Sequence, residues 1–371
     1  MNISYLKRNI YKILKRNKWV FYIYEWLKWH KEIEYQNEIN DRNNLKTKER
    51  IKYEESLVCR YWRIGTFHYY RYGLQYKHLS DEEILDYVPT YYFHKNIEHH
   101  HAGIDTVKYG DKLVQAMLFE ERHIPTAKVV AIFKNNKWCD INDGSNVDFE
   151  SIVDQLLAVP NNKLFVKPTG NCGGYGILVL KKQDDRLILN GKIIESLREF
   201  YSKLDKTLIY IVEENIIQNS QLSAINSSSV NTLRVVVQRR EDKMEIITTI
   251  LRMGRAGKEV DNSAQGGISI NVDTVTGRFG DCATAEHGGG YILSHPDSNY
   301  IFKGKGIDNW EAVKSEIVLI ANKLIDFKDI ALDIALTEQG ARLLEFNFRY
   351  GIEHQQCVIG GVRRIFNIPN K

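Results

Sequence analysis

A chain of 371 residues, 43% apolar and 26% charged, has material for two or three domains with substantial cores and lacks the polar excess of a disordered chain. Its net charge of +4 is too mild to mark a nucleic-acid partner, and no recognisable nucleic-acid module accompanies it. No apolar run reaches the roughly 18 residues of a transmembrane helix, and the five scattered cysteines contain no Cys-x-x-Cys pair for a zinc ribbon or redox centre, which suits a reducing, cytoplasmic compartment.

Residues 1–57 read as a helical, basic N-terminal extension. Ile3, Leu6, Ile10, Ile13 and Leu14 recur at helical spacing with Lys7, Arg8, Lys12, Lys15 and Arg16 between them, and Trp19, Phe21, Tyr22, Trp26 and Trp29 follow. Such a helix can lie on an anionic membrane surface through residues 1–31, peripheral at the inner membrane face, or it can pack on its own protein. No signal peptide is expected, because Glu25 interrupts Trp19 to Leu27 and no small-residue cleavage site follows. Residues 58–160 are mixed, with a helix expected within 105–123 and a strand in the segment IPTAKVVAIF.

From residue 163 the pattern turns strand-rich: KLFVKP, GILVLKK, RLILN, LIYIVEENII, TLRVVVQRR, EIITTILRM, GISINVD and RLLEFNF, with helices expected at 192–203 and 309–326. Long runs of strands with few helices predict an α+β fold with antiparallel sheets, divided at 161–218 and 219–371.

Four stretches carry chemistry. In LFVKPTGNCGGYGILVL a strand delivers Lys167, Pro168 ends it, and Gly170, Gly173, Gly174 and Gly176 follow. Glycines let backbone N–H groups turn toward an anion beside the lysine charge, although a plain hairpin also uses glycine. The spacing is neither a P-loop nor a dinucleotide-binding turn. Glu213 and Glu214 interrupt an apolar strand and point to opposite faces, so at most one faces inward. Arg234, after a polar turn, offers a bidentate fork for a carboxylate or phosphate or serves as an ordinary surface arginine. In RLLEFNFRY the alternation puts Leu344, Phe346 and Phe348 on one face and Glu345, Asn347 and Arg349 on the other, and a hairpin brings Asp333 near Glu345. Three hard oxygen donors of this kind suit Mg²⁺ completed by substrate phosphates. His99, His100 and His101 cannot all face one ion, and HGGG at 287–290 has no G-x-S-x-G elbow to serve, which argues against a hydrolase.

In order along the chain, GDKLVQAMLFEERHIPTA, FVKPTGNCGGYG, IVEENI, NTLRVVV, RMGRAGKEVDNSAQGGI and the Asp333…Glu345-Phe-Asn347 set resemble the ATP-grasp superfamily, most of all its sugar-transfer-associated branch from surface-polysaccharide gene clusters. The resemblance covers about 105–357. It implies two α+β subdomains clasping ATP, with Lys112 and Lys167 on the phosphates, the loop bearing Gly173 and Gly174 as a lid, and Glu213, Glu214 and Ile216 at the adenine and ribose. It further implies Asp333, Glu345 and Asn347 as Mg²⁺ ligands and Arg234 at the transferred phosphoryl group, with Arg255 in a loop facing the same centre. The activity implied is an ATP-dependent carboxylate–amine ligase acting through an acyl phosphate on a small-molecule or glycan substrate with an amine co-substrate. A kinase phosphorylating a sugar-like acceptor and a non-catalytic nucleotide-binding scaffold are the alternatives. The oligomeric state is not legible.

Overall fold

The computed structural model describes residues 17–159, 162–170, 176–259, 261, 266–285 and 291–369. Helices come first. α1 spans Lys18–Ile39 and starts at Asn17, whose side-chain oxygen accepts from the Trp19 amide at 2.9 Å. α2 spans Lys48–Trp62, capped by Thr47 and stopped where Arg63 adopts a left-handed φ of 50°. α3 (Phe67–Arg71), α4 (Asp81–Leu85) and α5 (Thr90–Glu98) complete a helical body. The second helix continues past residue 57. α2 runs through that point because Val58 and Trp62 are fully buried with Tyr69 and Phe93, and with Val362 and Phe366 from the far end of the chain. Within this body Glu54 is wholly buried; Lys46 Nζ reaches both its oxygens, at 2.8 and 2.7 Å, Arg50 Nε lies at 2.6 Å and the Tyr69 hydroxyl donates at 2.6 Å.

His68 in α3 is also buried, and desolvation lowers its pKa to about 3 despite a bond to the Gly65 backbone. Its unfolded value of 6.5 lies above the folded one, so its contribution is intact above pH 6.5 and is lost as pH falls toward 3. We expect about 2 kcal/mol of stability to disappear between pH 7 and pH 5 from this group alone. Urea midpoints at the two pH values should converge in His68→Gln; an unchanged gap would assign the acid sensitivity elsewhere.

α6 (Lys112–Glu121) leads into the first sheet. It contains β1 (Val129–Lys134), β2 (Lys137–Cys139), β3 (Lys163–Pro168), β4 (Leu178–Gln183), β5 (Arg186–Leu189), β6 (Lys192–Ile194) and β7 (Tyr210–Glu214). All pairs are antiparallel in the order β2-β1-β7-β3-β4-β5-β6. α7 (Phe149–Leu157) and α8 (Leu197–Lys203) cover one face, with Trp138 stacked on Phe149 at 3.8 Å. The sheet begins at residue 129. One expectation changes here. The helix expected over 192–203 starts only at Leu197, because Ile193 and Ile194 pair with Ile188 and Leu187 in the ladder.

The second sheet contains β8 (Thr232–Arg240), β9 (Lys243–Met253), β10 (Ile268–Asn271), β11 (Thr284–Ala285), β12 (Asp329–Thr337) and β13 (Gly340–Asn347), antiparallel in the order β11-β10-β9-β8-β12-β13. α9 (Ser220–Ile225) and α10 (Trp310–Asn322) pack on one side of it, whereas Val236 and Ala331 face the helical body on the other. β12 is thus buried on both faces, which explains its nearly unbroken apolar run. α11 (Ile352–Ile359) closes the layer. The histidine run is structural: His100 Nδ1 lies 2.8 Å from the buried Asp329 carboxylate, which Gln238 and Tyr350 also bond, at 2.8 and 2.5 Å.

Candidate active site

β3 alternates. Leu164 and Val166 pack into the core beneath α7, which leaves Lys163, Phe165 and Lys167 on the opposite face. The register with β7 sets Phe165 opposite Glu213, and Lys167 Nζ sits 2.5 Å from the Glu213 carboxylate. Glu214 points the other way, to Lys128 at 3.3 Å. Asp111 caps α6 and so fixes Lys112 as its first residue, whose backbone N–H donates to Thr169 O at 3.0 Å, just after β3.

Gln115, one turn further along α6, is buried and clamps this helix to β13. Its amide donates to Phe346 O at 2.8 Å and its carbonyl accepts from Phe346 N at 3.0 Å. Lys112 Nζ comes to rest 3.6 Å from Glu345. Gln115→Ala should cost about 1–3 kcal/mol by stranding two backbone groups. It should also weaken nucleotide binding, because Lys112 loses its anchor; calorimetry with Mg·ADP checks this, and an unchanged affinity would remove Gln115 from the site's support.

β12 and β13 bring the acids together. Asp333 lies directly opposite Glu345, and Asn347 Nδ2 donates to Glu345 Oε1 at 3.3 Å. The pairing shifts between Asp333 and Ile334, so Leu344 and Glu345 both stand against Asp333. This bulge corrects the simple alternation: Leu343, not Leu344, is buried with Phe346 and Phe348, whereas Leu344 lines the cleft. Arg234, opposite Asp333 on β8, forks onto it, with Nη2 at 3.1 Å from Oδ2, and Arg252 adds a contact at 3.4 Å. Arg252 also reaches Asp261 at 3.1 Å, and Asp261 accepts from the Thr232 amide at 3.1 Å. Burial pushes the Asp333 carboxyl up, and the charge of Glu345 adds to the rise against the pull of both arginines. For Glu345 burial acts in the same direction, yet Lys112, Arg234 and the Asn347 amide together hold its carboxyl below the ordinary value.

These groups wall one cleft of about 970 Å³. Lys112, Lys167, Glu213, Arg234, Asp333, Glu345 and Asn347 all line it. Glu214 and Ile216 do not, and Arg255 is held by Asp297 at 2.7 and 3.0 Å, away from the lining. That contact pulls the Asp297 carboxyl well below the carboxylate range. Gly173 and Gly174 lie outside the described residues. Sequence reasoning missed Arg252, and parity was the available signal: Arg252 pairs with Thr232 on the strand that carries Arg234, two residues away on the same face. Arg349, which the alternation of RLLEFNFRY set on the polar face with Glu345 and Asn347, lines the cleft too, whereas Glu353 and the contribution of α1 had no motif.

The family model described as sugar-transfer associated ATP-grasp matches residues 96–365. The chain belongs to this family. The two-sheet architecture is accordingly that of an ATP-grasp protein, preceded here by the helical body. Among solved structures the ATP-grasp chain is similar to carboxyaminoimidazole ribonucleotide synthase from Aspergillus clavatus, complexed with ATP, at 14% identity over 71% of this chain and 52% of that one, with a TM-score of 0.40. It is also similar to the biotin carboxylase domain of 2-oxoglutarate carboxylase from Hydrogenobacter thermophilus, in complex with MgADP and bicarbonate, at 13% identity over 70% and 45%, with a TM-score of 0.38. A third is D-alanyl-alanine synthetase A from Vibrio cholerae, at 11% identity over 70% and 60%, with a TM-score of 0.36. The match spans about half of each of these solved chains. Comparison with curated proteins finds no match. Among the described residues no helix is long and apolar enough to cross a membrane.

Proposed function

We propose that this ATP-grasp protein is an ATP-dependent carboxylate–amine ligase that forms an amide on a surface polysaccharide or its sugar precursor. The observation that carries the reading is one cleft in which Lys112, Arg234 and Arg252 meet the acid pair Asp333 and Glu345, with Lys167 on Glu213 in the same lining. A carboxylate oxygen of the substrate attacks the γ-phosphorus of ATP, the bond to ADP breaks, and an acyl phosphate results. An amine nitrogen then attacks the acyl carbon, phosphate leaves, and the amine gives up a proton. Attack of an anion on an anion needs neutralised charge. Unit charges about 4 Å apart gain about 4 kcal/mol at an effective dielectric near 20, so each lysine and arginine in the cleft matters.

Mg²⁺ fits the donor set of Asp333, Glu345 and Asn347: two carboxylates and an amide are hard oxygen donors, and the hairpin sets them side by side. When bound, the ion supplies charge neutralisation to the phosphates it shares. Glu345 keeps a third of its side chain exposed, open to such a ligand, while Arg234 holds Asp333 in place.

The test is ADP release over a panel of amino acids and uronic-acid sugar nucleotides, with product mass recorded. ADP that appears only when a carboxylate and an amine are both present is the expected result. Phosphate retained on the product would convert the reading to a kinase.

We also place the outward face of α1 on an anionic membrane surface on the cytoplasmic side. Trp19, Ile23, Trp26 and Leu27 are 47–61% exposed on the side opposite buried Phe21 and Glu25, and Lys18 and Lys31 flank them. Co-sedimentation with phosphatidylserine vesicles should exceed that with neutral vesicles and fall in Trp26→Ser; equal recovery on both lipids would overturn this placement.

A further inference from the structure

The cleft continues beyond the acid pair to a wall made by α1, α3 and α5, whose residues Glu25, Trp29, Arg71 and Thr90 precede the family match, together with Glu353 and Gln355 of α11 within it. At about 970 Å³ it stands at the upper end of ligand pockets, which run from about 300 to 1,000 Å³, so a nucleotide leaves room for a second ligand. In this far wall Arg71 lies between two carboxylates, 3.6 Å from Glu25 and 3.4 Å from Glu353. The Thr90 hydroxyl donates to Glu353 at 2.8 Å. The Trp29 ring stands beside the triad, with the Arg71 guanidinium 5.6 Å from its centroid. Gln355 lines the same wall, is 1% exposed, and its Oε1 has no hydrogen-bond partner among the described residues.

A buried carboxylate–guanidinium–carboxylate triad is a poor way to gain stability, because desolvation of three charges offsets most of their attraction. Its chemistry suits recognition. A ligand with one charge would need groups of one sign, whereas this wall alternates acceptors and donors around an aromatic face. A hydroxyl donates and accepts at once, and the C–H face of a sugar ring packs on an indole.

We propose that this wall is the acceptor subsite and that it takes a sugar ring, packed on Trp29, with its hydroxyls bonded by Glu25, Arg71 and Glu353. The proposal rests on the ligase reading for the identity of the first ligand in the cleft and adds the residues that hold the sugar. It also gives α1 a role in substrate binding.

Saturation-transfer NMR on the full chain tests it, with methyl glucuronoside and methyl glucoside as probes and succinate and ethanolamine as non-sugar controls. Both sugars should receive saturation and the controls should not. The sugar signal should fall at least fivefold in Trp29→Leu and in Glu25→Gln. Trp29→Tyr, which restores a ring, should recover it, and this also separates lost recognition from lost folding. No sugar signal, equal signal from the controls, or undiminished signal in both loss variants would overturn the subsite. Mg·ADP calorimetry on the same samples separates the two readings. A wild-type protein that fails to bind Mg·ADP but shows Trp29-dependent sugar binding would sink the ligase reading and leave the subsite standing.

Discussion

Glu345→Ala should reduce ADP formation by about 10²- to 10³-fold, the loss of about 3–4 kcal/mol of barrier lowering that follows removal of one preorganised electrostatic group. The effect has two sources. In the proposed ligase reading Glu345 is one of the two carboxylates that would hold Mg²⁺, and it is also the counter-charge 3.6 Å from Lys112. Without it the lysine is free to pair with Asp333 or with a phosphate in an unproductive geometry. Glu345→Gln keeps the shape and the contact with Asn347, so it should fall between wild type and alanine. Since a third of the side chain reaches solvent, neither variant should unfold the chain. Turnover within threefold of wild type would remove Glu345 from the chemistry.

The second large effect is structural. Glu54→Ala should destabilise the helical body by about 3–5 kcal/mol, because Lys46, itself only 3% exposed at the side chain, is left as an uncompensated buried charge. The Tyr69 hydroxyl and Arg50 Nε lose their acceptor as well. Urea unfolding followed by tryptophan fluorescence suits the measurement, since Trp62 is buried in the same core. A double variant, Lys46→Met with Glu54→Leu, should recover much of the loss, because well-packed apolar groups often replace a buried pair at little cost. A single variant costing under 1 kcal/mol would show that water reaches Glu54.

Much of the second sheet was legible in the sequence because β12 and β8 are apolar runs interrupted in their interior by Asp333 and Arg234, and a charge within such a run must have a reason. Asp333, Arg234 and Glu345 were found this way, and the hairpin did bring the acids face to face. What escaped depended on partners distant in sequence. Arg252 and Arg255 look alike in RMGRAG, and only the β8–β9 register shows that the first shares a face with Arg234 while the second turns to Asp297. The inward face of α1 had no signature, because the helix is apolar on opposite sides and its pattern cannot say which side the protein covers. The polar, charged stretch before residue 57 likewise gives no sign that Val58 and Trp62 meet Val362 and Phe366.

The extra residue at Leu344 makes the β12–β13 hairpin a chain with two reading frames. Counted back from the turn, Gly340 faces Thr337 and Leu343 faces Ile334; carried on, that frame would set Leu344 opposite Asp333 and Glu345 opposite Leu332, with Glu345 turned into the core. The observed second frame, in which Asp333 meets Glu345 and Ala331 meets Asn347, begins where the count is reset. Removing Leu344 would merge the two frames into one continuous ladder and leave both acids outward. The hairpin itself therefore has no need of the residue, and its retention belongs to the cleft wall that it forms.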